Sequence, residues 1–472
     1  MSEITPFPTP PQPKPRRPRF RTADGAVAPR FIAAIQTALK ENDAGRLGKL
    51  TGKLHEADLG DLIAALAADE RPRLVELLGK DFDYTALTEV DDSVREEILG
   101  DLPAEAVAEG VRELESNDAV YLLKDLSEEN QAEILEQLPA PERNALERSL
   151  RYPEDSVGRR MQTDFIAVPP DWKVGDVIDY LRENRDLPDS FYELYVAEKD
   201  RRLVGAVRLD RMLRSMRPVR IADILVEEPQ IVRAHDDQES AARQFERYDL
   251  VSAPVVDEEG RLVGVLTADD VLDVVEEEAE EDLRALAGVR RAEDLSDSVL
   301  ETARLRLPWL VLNLLTSFIA AGVIALFQAT LEQVVAVAIL MPINAALGGN
   351  AGTQALAVAV RALATQELNR SNVARVIMRE VMVGLVNGLA LAAIAGIGAG
   401  FAFGNARLGI ALGGGMVLSV IFGTTVGILV PLLVRRMKID PAIASGVFVL
   451  TVTDVFGFFI FLAFATIAFG LV

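Results

Sequence analysis

The chain changes character near residue 304, and from there to the C-terminus one apolar run follows another. Five spans can be drawn, at about 308–327, 333–360, 376–404, 408–434 and 443–470, each long enough to cross roughly 30 Å of hydrocarbon as a helix. A backbone in hydrocarbon has no water to bond, so its N–H and C=O groups must be satisfied internally, which a continuous helix does. Loop charge then sets the direction of threading. Arg304 and Arg306 precede the first span, Arg361, Arg370, Arg375 and Arg379 flank the second connection, and Arg435, Arg436 and Lys438 precede the fifth. The alternate loops hold only Glu332 and Arg407. This excess of cations on one side predicts a cytoplasmic N-terminal region and a C-terminus outside, in a multi-pass protein of the cytoplasmic membrane.

Charge divides the chain at the same place. Residues 1–303 carry 39 Lys and Arg against 67 Asp and Glu, whereas residues 304–472 carry 10 against 5. So acidic a soluble region argues against nucleic acid, whose binding needs clustered cations, and makes cations the natural partners. There is no Cys, and the only histidines are His55 and His235. Any bound metal must therefore be held by oxygen, which points to Mg²⁺, Ca²⁺ or Mn²⁺. Residues 1–30, Pro-rich and basic without an apolar core, read as a disordered tail and not as a signal peptide.

Residues 31–150 place leucines at helical spacing between breaks such as GDLPAEA and EQLPAPER, which predicts stacked amphipathic hairpins. An internal repeat follows in 151–275. FIAVPPDWKVGDVIDYLREN and LYVAEKDRRLVGAVRLDRML are echoed about sixty residues later by QIVRAHDDQESAARQFERYD and APVVDEEGRLVGVLTADDVL. Each copy reads strand, helix, strand, turn, strand, helix, with Asp257 to Gly260 as the second hairpin turn. Residues 268–303 read as one acidic helix leading to the membrane, of which 276–303 form the connection. Asp270, Asp273, Glu277 and Glu281 fall close to one face, where like charges repel by a few tenths of a kcal/mol per pair. A solvated acidic face and a cation-binding face both fit this pattern.

Two features of the apolar region carry chemistry. In the second span, Pro342, Asn344, Gly348, Gly349, Asn350, Gly352 and Gln354 interrupt the helix, as tolerated at membrane depth where residues are buried in protein or line a wet cavity. In the fifth, Asp454 is the only acidic residue, mid-span, on one face with Gly446 and Leu450. A carboxylate at the bilayer centre costs about 3 kcal/mol or more and usually belongs to an ion or proton pathway. One carboxylate per chain is sparse for a cation, so a symmetric dimer presenting two copies of Asp454 is the natural solution. Mg²⁺ suits it, because it retains water and needs few carboxylates.

The repeat resembles a tandem pair of CBS (cystathionine-β-synthase) domains, which implies adenosine-nucleotide binding, ATP included. The second copy keeps that family's ending as Gly264, Thr267 and Asp270, whereas the first has Arg208 and Arg211 where Thr and Asp would stand. The domain order as a whole resembles the MgtE family of magnesium channels. It does so together with Gly348-Gly349-Asn350-x-Gly352-x-Gln354, Arg361-Ala-Leu-Ala-Thr, Asp440-Pro441-Ala442 and Thr453-Asp454-Val455-x-Gly457. That resemblance implies an all-α N-terminal superhelical domain (31–150), tandem α/β CBS domains (151–275), an acidic connecting helix (276–303) and a five-helix α transmembrane domain (304–472).

It further implies a lipid-embedded homodimer whose pore is lined by the second and fifth spans, here Asn344, Asn350, Gly446, Leu450 and Asp454. The last of these would hold hydrated Mg²⁺, with Gly446 standing where the family can carry Asn. Cytosolic Mg²⁺ would be bound by Glu239, Asp249, Asp270, Asp273, Glu278, Glu281 and Asp282, with Asp118 of the helical domain of lesser interest, and would close the pore through the connecting helix. The expectation is a gated Mg²⁺ uptake channel and not an enzyme; no P-loop pattern is present. A divalent-cation exchanger coupled through Asp454 and a membrane-anchored CBS sensor are the alternatives.

Overall fold

The computed structural model describes residues 20–124, 126–185, 187–188, 190–226, 228–286, 299–365, 367–368, 371–437 and 441–471. They form two compact units, divided between Val274 and Val275.

The first unit opens with short helices: α1 (Pro29–Glu41), α2 (Ala44–Thr51), α3 (Glu56–Ala64), α4 (Arg71–Leu78), α5 (Asp92–Asp101), α6 (Ala104–Val111), α7 (Ser116–Leu123), α8 (Glu128–Gln137) and α9 (Ala140–Leu150). Their ends are written locally. Asn42 closes α1 in the left-handed region, and the Asp43 and Ser127 side chains accept N–H bonds that cap α2 and α8. One apolar face of each helix feeds a common core in which Ile35, Leu62, Leu74, Ile98 and Leu122 are fully buried. The expected tail is shorter than its sequence suggests. Phe20 stacks edge-on against Phe31 at 5.2 Å, and Arg21 pairs with Asp58 and, at 2.7 Å, with Asp61 of α3. An apolar ring with a ring to pack on, and a guanidinium with two carboxylates, order the segment from residue 20. The part of the expected tail in 1–19 lies outside the described residues.

The repeat then appears as two matched sheets. The first copy runs α10 (Val157–Arg160), β1 (Ala167–Val168), α11 (Val174–Glu183), β2 (Glu193–Ala197), β3 (Leu203–Arg208) and α12 (Leu209–Leu213). The second runs β4 (Val232–Arg233), α13 (Gln238–Tyr248), β5 (Ser252–Val256), β6 (Leu262–Thr267) and α14 (Ala268–Leu286). Each sheet has a parallel pair followed by an antiparallel pair, and each slips register at the same place, after Val196 and after Val255. The predicted turn forms at Asp257 to Gly260, with Gly260 at φ 79° and the Asp257 carboxylate accepting from the Glu259 and Arg261 amides. The copies join through Gln162 and Val265, which exchange backbone hydrogen bonds of 2.8 and 2.9 Å.

The second unit holds the five long apolar helices: α15 (Val299–Leu326), α17 (Val335–Ala364), α18 (Val373–Ala402), α19 (Ala406–Arg436) and α20 (Pro441–Phe469), with a short α16 (Gln328–Gln333) that the sequence reading did not anticipate. Residues 287–298 of the expected connecting helix, and Arg370, Lys438 and Asp440 of the quoted loops and motifs, lie outside the described residues. Residues 299–303, assigned to that connection, instead begin α15. α19 packs against α17, α18 and α20. Its approach to α17 is set by facing glycines: a Cβ at Gly423 would collide with the Gly348 carbonyl, and one at Gly427 with the Gly352 carbonyl. In hydrocarbon, where lipid is as apolar as leucine, such close backbone contact is a main source of helix association.

That geometry gives a direct test. Gly427→Ala must push α17 away and is expected to lower stability by about 1–3 kcal/mol, seen as a lower unfolding midpoint in detergent. Gly398→Ala, whose Cβ meets open space, serves as the control and leaves the midpoint unchanged. Equal midpoints for the two variants would contradict the close α17–α19 approach.

Candidate metal sites

α20 has two faces. Val449, Thr453 and Gly457 turn inward, with Val449 and Thr453 at 0% and 2% exposure, and a Cβ on Gly352 of α17 would sit 3.0 Å from Thr453 and 3.2 Å from Val449. Gly446, Leu450 and Asp454 lie on the other side, none of them buried, and Asp454 makes no hydrogen bond or ion pair among the described residues. The sequence thus presents a carboxylate on an apolar 29-residue helix without supplying it a counter-charge. Asn350 is exposed on α17. Asn344 does not join this open face. It is 1% exposed, and its Nδ2 donates to Ser419 Oγ at 2.8 Å and to the Gly457 carbonyl at 3.0 Å. The amide ties α17 to α19 and α20 one turn from Asp454.

A second concentration of acid lies in the first unit. Asp270 ends the second repeat's Gly264-x-x-Thr267-x-x-Asp270 and is 8% exposed. Its Oδ2 accepts from the Thr267 N–H at 3.2 Å and hydroxyl at 2.5 Å, and its Oδ1 accepts from Asn117 Nδ2 at 2.6 Å. The same Asn117 nitrogen donates to Asp118 Oδ1 at 3.2 Å. One neutral amide therefore spans two carboxylates. Burial pushes the Asp118 carboxyl up to about 7, helped by the charges of Glu115, Asp273, Asp269 and Glu89. Burial likewise pushes Asp270 up to about 8, helped by Asp269 and Asp118 and opposed by its bonds from Thr267. Such a cluster gains by taking up a proton or a cation.

Asp118, of lesser interest in the sequence, is thus central, and Asn117 was missed altogether. Nothing local marks it, since its partner is 153 residues away. The other predicted ligands are dispersed. Asp273 is exposed and acts on Asp118 through its charge. Glu239 pairs with Arg243 at 2.6 Å in the first turn of α13, and Asp249 closes the far end of that helix, exposed and left-handed at φ 52°. Glu278, Glu281 and Asp282 are half-buried in the last turns of α14. There, within the second unit, Ala285 is buried against Leu356 and Val360 of α17 and Val449 of α20. Among the described residues no three Asp, Glu or His side chains form a metal-binding group. Residues along an α-helix rise about 1.5 Å each, so sharing a face does not by itself bring carboxylates to one ion.

The MgtE family, described as a divalent cation transporter, matches residues 341–464; the MgtE intracellular N domain matches 54–155, and CBS domains match 156–218 and 221–277. The chain is similar to the magnesium transporter MgtE of Thermus thermophilus, 34% identical over 445 residues that cover 92% of this chain and 98% of the relative. It is also similar to the magnesium transporter MgtE of Bacillus subtilis, 30% identical over 436 residues, 92% of this chain and 97% of the relative. Among solved structures, the cytosolic domain of the Mg²⁺ channel MgtE in complex with ATP is 31% identical and covers 52% of this chain and 99% of its own, with a TM-score of 0.48.

The raised carboxyls give stability a definite pH dependence. Folded Asp118 and Asp270 hold protons, up to about 7 and about 8, that the unfolded chain releases near pH 4. Their favourable contribution is therefore complete below pH 4 and is lost as pH rises through 7 to 8. In chelator, the unfolding midpoint should fall over that window. Asp118→Asn should flatten the fall and raise stability at pH 8 by on the order of 2 kcal/mol. A wild-type midpoint that is level or rising from pH 4.5 to 8 would contradict the uncompensated cluster.

Proposed function

The chain belongs to the MgtE family of divalent cation transporters, and from that premise we propose that it is a gated, passive Mg²⁺ uptake channel of the cytoplasmic membrane. The observation that carries the reading is Asp454, a carboxylate without a partner among the described residues, on the open face of an apolar helix. Two chains related by a twofold axis would present two such groups, enough to hold Mg²⁺ through its retained waters. An inside-negative potential contributes about 4.6 kcal/mol per 100 mV to the inward movement of a divalent ion, so no ATP hydrolysis is required. The arginines around the second connection and before the fifth span support a cytoplasmic N-terminal region and an outside C-terminus.

Closure by cytosolic Mg²⁺ is the second part of the proposal. Asp118 and Asp270 form an acid pair with one shared neutral donor, and a cation there would remove the repulsion from Asp269 and Asp273. Along α14 that charge continues through Glu278, Glu281 and Asp282, toward the end that packs on α17 and α20. Mg²⁺ at the acidic face stabilises the closed pore if it binds that state more tightly. ATP at the CBS pair is a further proposal, resting on the Thr267 and Asp270 ending.

Two measurements test these parts separately. Asp454→Asn keeps the shape and removes the charge, so Mg²⁺ flux into proteoliposomes should fall to background in a folded dimer; wild-type flux would end the pore assignment. Discrete conductance steps from the wild type would separate a channel from an obligate exchanger. Neutralising Asp270, Asp273, Glu278, Glu281 and Asp282 together removes bridging ligands as well as repulsion. The first loss should dominate, because a bridging ion supplies directional coordination. The variant should stay open at cytosolic Mg²⁺ that shuts the wild type, and normal inhibition in patch recordings would refute the sensor assignment alone.

A further inference from the structure

The helical domain carries a groove outside both candidate sites. Its central cavity, of about 240 Å³, is floored by Phe82 and Tyr84 and walled by Leu102 and Pro103. The two rings meet edge to face at 5.1 Å and 84°. They are fixed in place. Tyr84 donates to the Ala106 carbonyl at 3.2 Å, and its ring lies so close to Gly110 of α6 that a Cβ there would collide with it. The rim is acidic, with Glu76, Glu109 and Glu113 against Lys80, which pairs with Glu109 at 2.5 Å. A larger polar recess adjoins through Glu76 and adds Asp69 and Asp101, with Arg73 as its cation. Across both recesses five carboxylates face two cations, and Asp69, Glu76, Asp101 and Glu113 have no ion pair among the described residues.

We propose that this groove binds the chain's own N-terminal segment, residues 1–19. That segment has seven prolines in nineteen residues, with Phe7 between Pro6 and Pro8, and Lys14, Arg16, Arg17 and Arg19 against the single acid Glu3. Such a composition favours the extended polyproline II backbone, which binds aromatic-lined grooves at little entropic cost. The charges match: a net of three positive on the segment meets a net of three negative around the groove. The point of attachment matches too. Arg21, two residues beyond the segment, is held by Asp58 and Asp61 of α3. α3 packs on the short turn Tyr84–Leu87, where a Cβ on Gly60 would lie 3.2 Å from the Ala86 carbonyl. The groove floor is therefore one element away, while nineteen residues of polyproline II reach about 59 Å. Tethering at that range gives an effective concentration in the millimolar range, so a weak intrinsic affinity suffices.

The test uses hydrogen exchange on the full chain in detergent, compared with a chain beginning at Phe20. Removing the segment should speed exchange in 79–84 and 102–113 several-fold, and synthetic peptide 1–19 at millimolar concentration should restore protection. Charge reversal in the intact chain, Arg16→Glu with Arg17→Glu, should match the truncation without touching the helical domain. Glu76→Gln with Glu113→Gln should weaken the peptide about tenfold. Exchange unchanged in both the truncated and charge-reversed chains would overturn the proposal. So would protection that grows with protein concentration, which would assign the groove to a neighbouring copy.

Discussion

Negative charge without a matching cation is the condition on which both candidate sites depend. Asp454 stands on an apolar helix with no partner among the described residues, and Asp118 and Asp270 share a single neutral amide while Asp269 and Asp273 add to their burden. A carboxylate taken out of water costs several kcal/mol unless something compensates it. The two sites meet that cost differently. In the first unit the side chains hold protons to unusually high pH. In the second, a hydrated divalent ion passing the exposed face of α20 would supply the missing charge only while it is there, which suits transit better than storage.

The remainder of the apolar unit holds that face in place. Glycines on α17 and α19 let their backbones meet without side chains between them, and the buried Asn344 amide reaches both α19 and α20. Polar bonds of this kind between apolar helices have modest individual worth, about 0.6 kcal/mol on average, but they fix rotation. A turn of α20 about its axis would break the bond to Gly457 and carry Asp454 toward the packed side. Small residues thus set the distance between helices, and one amide sets the angle.

The regular parts of this protein were legible in its sequence because they rest on local periodicity. Leucine spacing gave the helical domain, the echo between residues 165 and 272 gave the same order of strands and helices in both copies, and the five apolar runs gave α17 to α20 within four residues at each end but began α15 nine residues late. Asp454 was visible for the same reason, since a lone acid in an apolar run needs no partner to be conspicuous. The resemblance to the MgtE family rested on motifs that likewise read along the chain, and the family matches now extend over the helical domain, the CBS pair and most of the apolar unit.

What the sequence could not supply was meeting across distance. Asn117 and Asp270 are 153 residues apart, and only folding makes Asn117 the shared donor and raises Asp118 from a minor candidate to the centre of the acid cluster. Asn344 reads as a pore residue along its helix, yet is buried because Ser419 and Gly457 happen to face it. Glu239 through Asp282 look like one ligand set on paper but spread over two ends of α13 and the length of α14. Sequence by itself determined which segments are helices, strands and membrane-crossing runs, because backbone hydrogen bonding and apolar burial act over neighbouring residues. Tertiary structure alone decided which polar groups share an environment, because desolvation, charge repulsion and ligation depend on distances in space that no local pattern encodes.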